Sequence, residues 1–432
     1  MSFVGTASER MAQELERAIL VGIESKQANG SESLQSSLDE LERLTDTAGA
    51  QVVARTWQRL DSPNPKTFVG SGKAEEIAQL CRSYSADLVI VDDELSPSQQ
   101  SNLERIVGKD VKVIDRTALI LDIFALHATT KEGRLQVRLA QNQYLLPRLR
   151  GMWAHLASNK MGGGVGSRFG EGESQLEVDR RLVRKRITSI KRELEQVSKM
   201  RSIQRSARYE AGVYKVAEAG YTNAGKSSLI NRISGSDVLS YDKLFATLDS
   251  TTRKVSLPEG REITLTDTVG FIQKLPHTLI EAFNSTLDEI RGADLVLHVV
   301  DVSSPEMEAQ MHAVDDTLES IGAQAIPRIV VFNKCDLLSE DEQGVLQGRY
   351  PEAIMVSAVT GWGIDRLIEG ITRAATAAER NMEILLPYGR GDLVSAAHER
   401  CTVVASEYLE DGIKMTLRVP GQYQQLFESF QK

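Results

Sequence analysis

Cysteine is scarce in this 432-residue chain, and its three copies are scattered. Cys81, Cys335 and Cys401 form no C-x-x-C pair, which argues against a disulfide framework or a zinc site and favours a reducing cytosol. No run approaches the roughly 18 consecutive apolar residues of a membrane span. The first residues also lack the cationic segment of a secretory signal. We therefore expect a cytoplasmic protein without a membrane span, and a monomer by default.

The chain has little excess positive charge to offer a nucleic acid, because its formal net charge is −9. One segment reverses this average. Leu176–Tyr209 carries eleven Lys/Arg and four acids, a local net charge of +7. A charged helix face is usually only solvated, but a one-sided concentration fits a footprint for phosphate backbone, and we predict RNA contact here.

The length suggests about three domains, and the first pattern along the chain is an alternation of strands and helices. This alternation predicts an N-terminal α/β domain with a mostly parallel sheet over residues 1–130. The predicted strands are Ile19–Ile23, Gln51–Trp57, Leu88–Val91 and Val111–Ile114. The predicted helices are Ser33–Thr47, Ala74–Ser83, Pro97–Val107 and Thr117–Leu126.

Residues 131–210 contain no credible strand and predict a long antiparallel helical hairpin. Apolar residues at 135, 139, 146, 149, 153 and 156 form a stripe on the first helix. The second, basic helix has a heptad seam at Leu176, Val183, Ile187, Ile190, Leu194 and Val197. Between them, Met161–Gly172 holds six glycines, which predicts a probing tip or a passive linker.

Residues 211–378 show a second α/β pattern, and residues 379–432 predict a small α+β domain with strands at Cys401–Glu407 and Gly412–Val419. The second pattern contains a complete G-x-x-x-x-G-K-[ST] phosphate loop between a strand-like and a helix-like segment. Its backbone amides cradle phosphates, its lysine reaches the terminal phosphates and its last hydroxyl ligates Mg²⁺. The candidate residues are Gly220, Tyr221, Thr222, Asn223, Ala224, Gly225, Lys226 and Ser227.

Two further motifs follow at strand ends and specify the nucleotide. In the first, D-x-x-G, the aspartate holds Mg²⁺ through water and the glycine amide senses the γ-phosphate. In the second, N-K-x-D, the aspartate accepts two hydrogen bonds from the guanine edge, which selects GTP over ATP. A later Ser-Ala-Val supplies an amide that faces the guanine oxygen. These residues are Asp267, Thr268, Val269 and Gly270; Asn333, Lys334, Cys335 and Asp336; and Ser357, Ala358 and Val359.

A threonine between the phosphate loop and Asp267 must close over Mg²⁺. The spacing alone is compatible with Thr247, Thr251 and Thr252. Phe271 stands where many GTPases have a glutamine that orients water, so we expect slow intrinsic hydrolysis that a partner stimulates. Asn223 could help ligate K⁺ beside the phosphates, or could serve only as a loop residue.

With these residues in view, the chain resembles the HflX-type ribosome-associated GTPases of the Obg–HflX group. The match to FATLD selects Thr247 as the closing threonine, so that Lys226, Thr247 and Gly270 are the candidate catalytic residues and Ser227 and Thr247 the metal ligands. The corresponding switch stretch is Phe245, Ala246, Thr247, Leu248 and Asp249. Other segments that carry the resemblance are Gly70–Ile77, Asp92–Gln100, Asp115–Phe124, Gln136–Leu149, Gln175–Arg181 and Phe271–His277.

The resemblance implies a Ras-like G domain, GTP or GDP with Mg²⁺, and binding to ribosomal RNA of the large ribosomal subunit. The GTP form would split stalled or stress-arrested ribosomes, with the hairpin near the peptidyl-transferase region. Alternatives are an ATP-dependent RNA-remodelling protein acting through the N-terminal domain, a ribosome-assembly GTPase, a scaffold and a tRNA-modifying GTPase. The last would need a C-terminal cysteine motif that the sequence lacks.

Several residues depart from the family pattern. Glu218 stands in the strand that enters the phosphate loop, where an apolar residue is expected. The tip reads Arg168–Ser174 in place of the usual R-G-P-G-E-T, and His127 and Arg138 replace an expected arginine and glutamate. None of these touches the predicted guanine contacts.

Overall fold

The computed structural model describes residues 15–25, 34–159, 168–210, 213–235, 244–245, 247–258, 261–274, 284–377 and 379–431. The chain forms two compact units. The first comprises Met1–Glu195, Tyr241–Asp249 and Ile272–Asn284, and the second Gln196–Ser240, Ser250–Phe271 and Ser285–Lys432. Among the residues that the structure describes, no helix combines the length and the apolar composition needed to cross a membrane.

The first unit begins with the predicted parallel sheet, whose strand order is β2-β1-β3-β4. Short runs of Val, Ile and Leu are buried in the two central strands, β1 and β3, as expected for strands covered on both faces of a parallel sheet. All four predicted strands and all four predicted helices are confirmed, with ends moved by a few residues; Ser33 lies outside the described residues. The elements are β1 (Glu16–Ser25), α1 (Leu34–Thr47), β2 (Ala50–Leu60), α2 (Ser71–Tyr84), β3 (Leu88–Val91), α3 (Pro97–Val107), β4 (Lys112–Asp115) and α4 (Arg116–His127).

Helix α3 shows how local sequence fixes an element. Ser96 accepts a hydrogen bond from the Gln99 backbone N–H at 3.2 Å, while the Ser96 N–H donates to the Gln99 side chain at 2.9 Å. This reciprocal capping box satisfies two N–H groups that the first turn leaves unpaired, and Pro97 occupies the first helical position. The predicted start at Pro97 is thereby confirmed.

Two long helices follow, α5 (Lys131–Asn159) and α6 (Arg168–Glu210). On α5, Leu135, Leu139 and Leu149 are buried, as the predicted stripe requires. On α6, every residue from 181 to 200 is exposed except Val183 and the residues at 187, 190, 194 and 197. The heptad spacing is therefore visible as a single protected seam on an otherwise solvated helix.

The predicted tip at Met161–Gly172 requires a correction. Helix α6 begins at Arg168, so the last five residues of the predicted tip are helical although two of them are glycine. The glycine count had indicated a loop because glycine costs roughly 1 kcal/mol per residue in a helix relative to alanine. Residues 160–167 lie outside the described residues.

The second unit contains a six-stranded sheet of order β10-β9-β8-β5-β7-β6, in which only β6 runs antiparallel to its neighbour. Residues of α7 and α11, including Leu229 and Leu367, bury apolar side chains with Val216 and Leu297 of the central strands. The elements are β5 (Tyr214–Gly220), α7 (Lys226–Ser234), β6 (Thr251–Ser256), β7 (Glu262–Asp267), α8 (Asn284–Arg291), β8 (Leu295–Asp301), α9 (Met307–Ser320), β9 (Arg328–Asn333), α10 (Glu340–Arg349), β10 (Ile354–Met355) and α11 (Ile364–Ala377).

The C-terminal residues form a three-stranded antiparallel sheet of order β11-β13-β12. The two predicted strands are confirmed, and β11 is a third strand that sequence reasoning missed. Its alternating Met382, Ile384 and Leu386 are buried, which is the period-2 signal that could have revealed it. The elements are β11 (Glu379–Leu386), α12 (Gly391–Arg400), β12 (Thr402–Leu409), β13 (Gly412–Pro420) and α13 (Gln424–Glu428).

One buried side chain in the second unit should make the stability of the protein depend on pH. His298 of β8 is 1% exposed, and burial lowers its pKa from 6.5 to about 4. Below pH 6.5 this imidazole is therefore protonated in the unfolded chain but not in the folded chain. The free energy of unfolding falls by about 1.4 kcal/mol per pH unit towards pH 4. We expect His298→Leu to reduce this acid sensitivity by about 3 kcal/mol across that range.

The measurement is urea unfolding of the wild type and His298→Leu between pH 4 and 7. His312→Asn is the matched control, because His312 lies on the exposed face of α9. Parallel stability curves for the wild type and His298→Leu would contradict the prediction.

Candidate nucleotide-binding site

The phosphate loop connects the end of β5 at Gly220 to the start of α7 at Lys226. Gly225 lies just before the helix with φ +88°, and a Cβ there would lie 2.2 Å from Asn333 Nδ2, so the position requires glycine. Asn223 also has a positive φ, +62°, and is exposed. A strand that enters a helix N-terminus through such a loop is the arrangement that binds phosphate groups.

The lysine of the loop is folded back onto the backbone. Lys226 is 6% exposed, and its Nζ donates to the carbonyl oxygens of Gly220 at 3.0 Å and Tyr221 at 2.8 Å. Burial lowers its pKa, although the nearby carboxyl groups of Asp267 and Glu218 act in the opposite direction. The ammonium group therefore lies inside the loop, where phosphate oxygens could replace the two carbonyls as its partners.

Oxygen donors suited to Mg²⁺ meet at the start of α7. Ser227 Oγ donates to Asp267 Oδ2 at 2.6 Å, which joins the last residue of the loop to the first residue of D-x-x-G. A hydroxyl and a carboxylate are the hard ligands that Mg²⁺ uses, with water and phosphate oxygens completing its shell. The residues present fit that ion.

The glycine of D-x-x-G lies against the phosphate loop. A Cβ on Gly270 would lie 2.8 Å from the Cα of Thr222, so any side chain would displace the loop. The next residue, Phe271, donates its N–H to Gly220 O at 3.1 Å and accepts from the Thr222 N–H at 2.7 Å. The Phe271 side chain is 1% exposed, so an apolar buried ring occupies the position where many GTPases carry glutamine.

A single amide side chain ties three predicted motifs together. Asn333, at the end of β9, donates from Nδ2 to Ala224 O at 2.9 Å and accepts at Oδ1 from the Ala358 N–H at 3.0 Å. The phosphate loop and the Ser-Ala-Val loop are thus held on one residue. Ser357 is fully buried, while Val359 is 79% exposed.

Asp336 lies beyond this bridge on a short 3₁₀ helix, Cys335–Leu337, and is exposed. The preceding Lys334 has φ +67°, and its Nζ pairs with Asp301 Oδ2 at 2.6 Å. Cys335 is buried, and burial raises the pKa of its thiol to about 11, so it is no nucleophile at neutral pH. An exposed carboxylate on a fixed turn suits recognition of a base edge.

Four family models match consecutive segments of the chain. The third covers the phosphate loop, the D-x-x-G motif at 267–270 and the first two residues of the N-K-x-D motif, Asn333 and Lys334. Their descriptions and matched residues are GTP-binding GTPase N-terminal (35–125), GTP-binding GTPase Middle Region (127–208), 50S ribosome-binding GTPase (215–334) and HflX C-terminal domain (347–428).

Curated relatives match along nearly the whole chain. GTPase HflX of Caldanaerobacter subterraneus is 45% identical over 428 residues, which cover 99% of this chain and 96% of that protein. The chain belongs to the HflX family of GTPases. GTPase HflX of Lacrimispora saccharolytica is 44% identical over 408 residues, 94% of each chain. A crystal structure of a GTP-binding protein from Sulfolobus solfataricus with GDP has a TM-score of 0.43 and 24% identity, covering 84% of this chain and 99% of that one.

Membership in the HflX family makes this chain a GTP-hydrolysing enzyme. The structure also distinguishes the three threonines that spacing left open. Thr251 and Thr252 lie in β6, where Thr252 Oγ1 is 3.1 Å from Thr266 Oγ1. Thr247 lies outside any strand, half-buried, in a segment that belongs to the first unit. Ala246 lies outside the described residues.

Glu218, the departure from the HflX pattern in β5, is fully buried. In the part of the chain that the structure describes, neither of its carboxyl oxygens has a hydrogen-bond partner. Its backbone oxygen accepts a hydrogen bond from Thr268 Oγ1 at 2.5 Å. Burial, reinforced by the charge of Asp267, raises the pKa of Glu218 well above its ordinary value. Burial therefore favours the neutral form of this carboxyl group more strongly than in an exposed glutamate.

Sequence reasoning missed two sets of contacts between the N-terminal part of the chain and the segments that contain Asp249 and Lys274. Thr129 and Thr130 bind Asp249, and Lys274 binds Asp92. Partners 120 and 182 positions apart leave no periodic signal in one sequence. These contacts lie within the first unit.

Proposed function

We propose that this HflX-family GTPase binds the large ribosomal subunit in its GTP form and splits stalled or stress-arrested ribosomes, with hydrolysis to GDP resetting it. The observation that carries the proposal is the exposed basic surface of α6. Its cations between residues 181 and 199 are exposed along one continuous helix, which suits the phosphate backbone of ribosomal RNA. The exposed members are Arg181, Arg184, Lys185, Arg186, Lys191, Arg192 and Lys199.

The match to a family described as 50S ribosome-binding GTPases supports the same partner. We further propose that the protein acts in the cytoplasm as a monomer, with the tip between α5 and α6 near the peptidyl-transferase region. A buried Phe271 in place of a water-orienting glutamine supports slow intrinsic turnover that ribosomes stimulate.

Within this function we assign a role to each motif. Lys226 and the phosphate-loop amides bind the phosphates, and the Gly270 amide senses the γ-phosphate. Ser227 and Thr247 would hold Mg²⁺, with Asp267 acting through water, and the ion would supply charge neutralisation on the β- and γ-phosphates. Asn333 and Asp336 read guanine.

The test is sedimentation of purified ribosomes through a sucrose gradient after incubation with the protein. With GTP or a non-hydrolysable analogue, the protein should shift whole ribosomes towards free subunits; with GDP it should not. Lys226→Ala should abolish the shift. Splitting that needs ATP and survives Lys226→Ala would instead favour the RNA-remodelling alternative.

The basic surface is tested with a matched pair of double variants. Lys185→Gln/Arg186→Gln removes two charges from α6 and should weaken subunit binding, with a salt dependence shallower by about one to two units of log-log slope. Arg366→Gln/Arg373→Gln removes two exposed charges from α11 and should leave splitting intact. Equal losses in both variants would contradict a specific role for α6. GDP affinity, measured for both double variants, reports on folding.

A further inference from the structure

Two segments that connect strands of the G-domain sheet belong, by their contacts, to the first unit. Tyr241–Asp249 precedes β6, and Ile272–Asn284 follows the D-x-x-G motif and Phe271. The first contains Thr247, the proposed Mg²⁺ ligand, and the second begins directly after the proposed γ-phosphate sensor. Each is fixed to the N-terminal part of the chain by one charged side chain.

Asp249 anchors the first segment at the start of α5. Its carboxylate accepts four hydrogen bonds, from the backbone N–H groups of Thr129 and Thr130 at 2.9 and 2.8 Å and from their hydroxyl groups at 2.7 and 2.5 Å. Thr130 Oγ1 also accepts from the Gly133 N–H at 3.0 Å. A Cβ on Gly133 would lie 2.3 Å from Asp249 Oδ1, so the first turn of α5 is shaped to admit this carboxylate.

This arrangement gives helix α5 an N-terminal acceptor from a residue 119 positions away. The same segment is pinned a second time, because Phe245 packs edge-on against Phe124 of α4 with ring centroids 4.6 Å apart.

Lys274 anchors the second segment. Its Nζ pairs with Asp92 Oδ2 at 2.8 Å and Asp93 Oδ1 at 2.9 Å, at the carboxyl end of β3. Asp92 is fully buried, and it also binds Arg116 at 2.7 Å and the Ser37 hydroxyl at 2.6 Å. Lys274 therefore connects to a fixed polar network inside the N-terminal sheet.

Backbone conformation supports a special role for both anchors. Phe245 has φ +57° and Lys274 φ +53°, a left-handed region that non-glycine residues rarely occupy. The surrounding contacts hold these conformations, and such residues cluster in switch regions and ligand clamps. In the first segment the strained residue, Phe245, lies four positions before the anchor Asp249. In the second segment the strained residue is the anchor Lys274 itself.

We propose that Asp249 and Lys274 are positioning residues that respond to the bound nucleotide: Asp249 couples the position of Thr247 to the start of α5, and Lys274 couples the position of Gly270 to the polar network at the carboxyl end of β3. The inference rests on the proposed roles of Thr247 and Gly270. When either segment rearranges around GTP, it must pull on Thr129 and Thr130 or on Asp92, because those groups are its partners. Helix α5 would thereby respond to the nucleotide without touching it.

The test is amide hydrogen exchange over residues 129–133, with GDP and with a non-hydrolysable GTP analogue, in the absence of ribosomes. The wild type should exchange at different rates in the two states. Asp249→Asn should remove the difference, because the amide group presents an NH₂ towards the Thr129 and Thr130 donors. Thr130→Val should also reduce the difference, whereas Thr130→Ser, which keeps the hydroxyl, should retain it. Lys274→Met should likewise remove the nucleotide-dependent difference in exchange over residues 91–95, at the end of β3 where Lys274 binds.

Kinetics separate positioning from a purely structural effect. Asp249→Asn should lower single-turnover GTP hydrolysis by about tenfold while GDP affinity stays within about twofold, because the segment that carries Thr247 loses its fixed position. Faster exchange that is equal in both nucleotide states would also accompany simple destabilisation, so the nucleotide-dependent difference is the diagnostic quantity.

The proposal is overturned if Asp249→Asn and Lys274→Met both keep the wild-type difference, or if the wild type shows none. Since no ribosome is present, the outcome is independent of the splitting activity. Nucleotide-dependent exchange without ribosome splitting would support the coupling and refute the proposed partner. Ribosome splitting without nucleotide-dependent exchange would support the proposed partner and refute the coupling.

Discussion

Glu218→Leu is expected to stabilise the second unit by several kcal/mol at neutral pH, and the gain should increase with pH. The wild-type carboxyl is fully buried, and neither of its oxygens is hydrogen-bonded among the described residues. Leucine fills a similar volume without a polar group to desolvate. Few single substitutions would combine so large a gain with so small a change in shape.

The pH dependence follows from the raised pKa of Glu218. Below the ordinary value of 4.5 both folded and unfolded chains are protonated, so the group adds no pH-dependent penalty. As pH rises from there towards the folded pKa, the unfolded chain releases its proton first and is favoured by about 1.4 kcal/mol per pH unit. Wild-type stability therefore falls with pH relative to Glu218→Leu.

Denaturant unfolding at several pH values between 5 and 8 measures this difference. Trp362 reports on the second unit if Trp57 and Trp153 are replaced by phenylalanine. Glu218→Gln is the matched control: it keeps a buried polar group but cannot ionise, so it should lose the pH dependence and only part of the penalty. A constant offset between wild type and Glu218→Leu at all pH values would contradict a buried neutral acid.

The sequence located the nucleotide motifs because their chemistry is local. A phosphate loop needs glycine and lysine at fixed spacing, and strands that end at Gly220, Asp267 and Asn333 carry their apolar patterns immediately before them. The parallel pairing of the N-terminal sheet and of most of the G-domain sheet followed from the alternation of strands and helices. Both conclusions depend on neighbours along the chain.

What the sequence could not show depends on distant partners. The bridge from Asn333 to Ala224 spans 109 positions, and that from Lys274 to Asp92 spans 182. Hydrogen-bonded side chains of this kind carry no periodicity, so only the folded chain reveals them. The start of α6 at Arg168 was missed for another reason. The glycines at 170 and 172 favoured a loop, although the residues that follow have a helical pattern.

Asp336→Asn is the second substitution with a large expected effect, on nucleotide choice. In the proposed role, the carboxylate accepts hydrogen bonds from both N–H groups on the guanine edge. An asparagine presents an NH₂ in place of one acceptor, which leaves a donor facing a donor. Affinity for GDP and GTP should fall on the order of 10³-fold. Xanthine nucleotides, which have a carbonyl in place of the guanine amino group, should gain affinity.

Competition of GDP and xanthosine diphosphate against a fluorescent nucleotide measures the change. Asp341→Asn is the matched control, since it removes an exposed carboxylate from α10 a few residues away. It should leave GDP affinity unchanged. Retained GDP affinity in Asp336→Asn, or equal loss of both nucleotides, would argue against Asp336 as the base-reading residue.

The altered specificity also tests whether this site times ribosome splitting. Asp336→Asn with xanthosine triphosphate should shift ribosomes towards subunits, while the same variant with GTP at wild-type working concentrations should not. The wild type should show the opposite preference. Rescue by a matching base cannot be explained by damage to the fold, because the protein is the same in both reactions and only the purine differs. If Asp336→Asn splits ribosomes equally well with either nucleotide, ribosome splitting must be controlled by a site other than the one that contains Asn333 and Asp336.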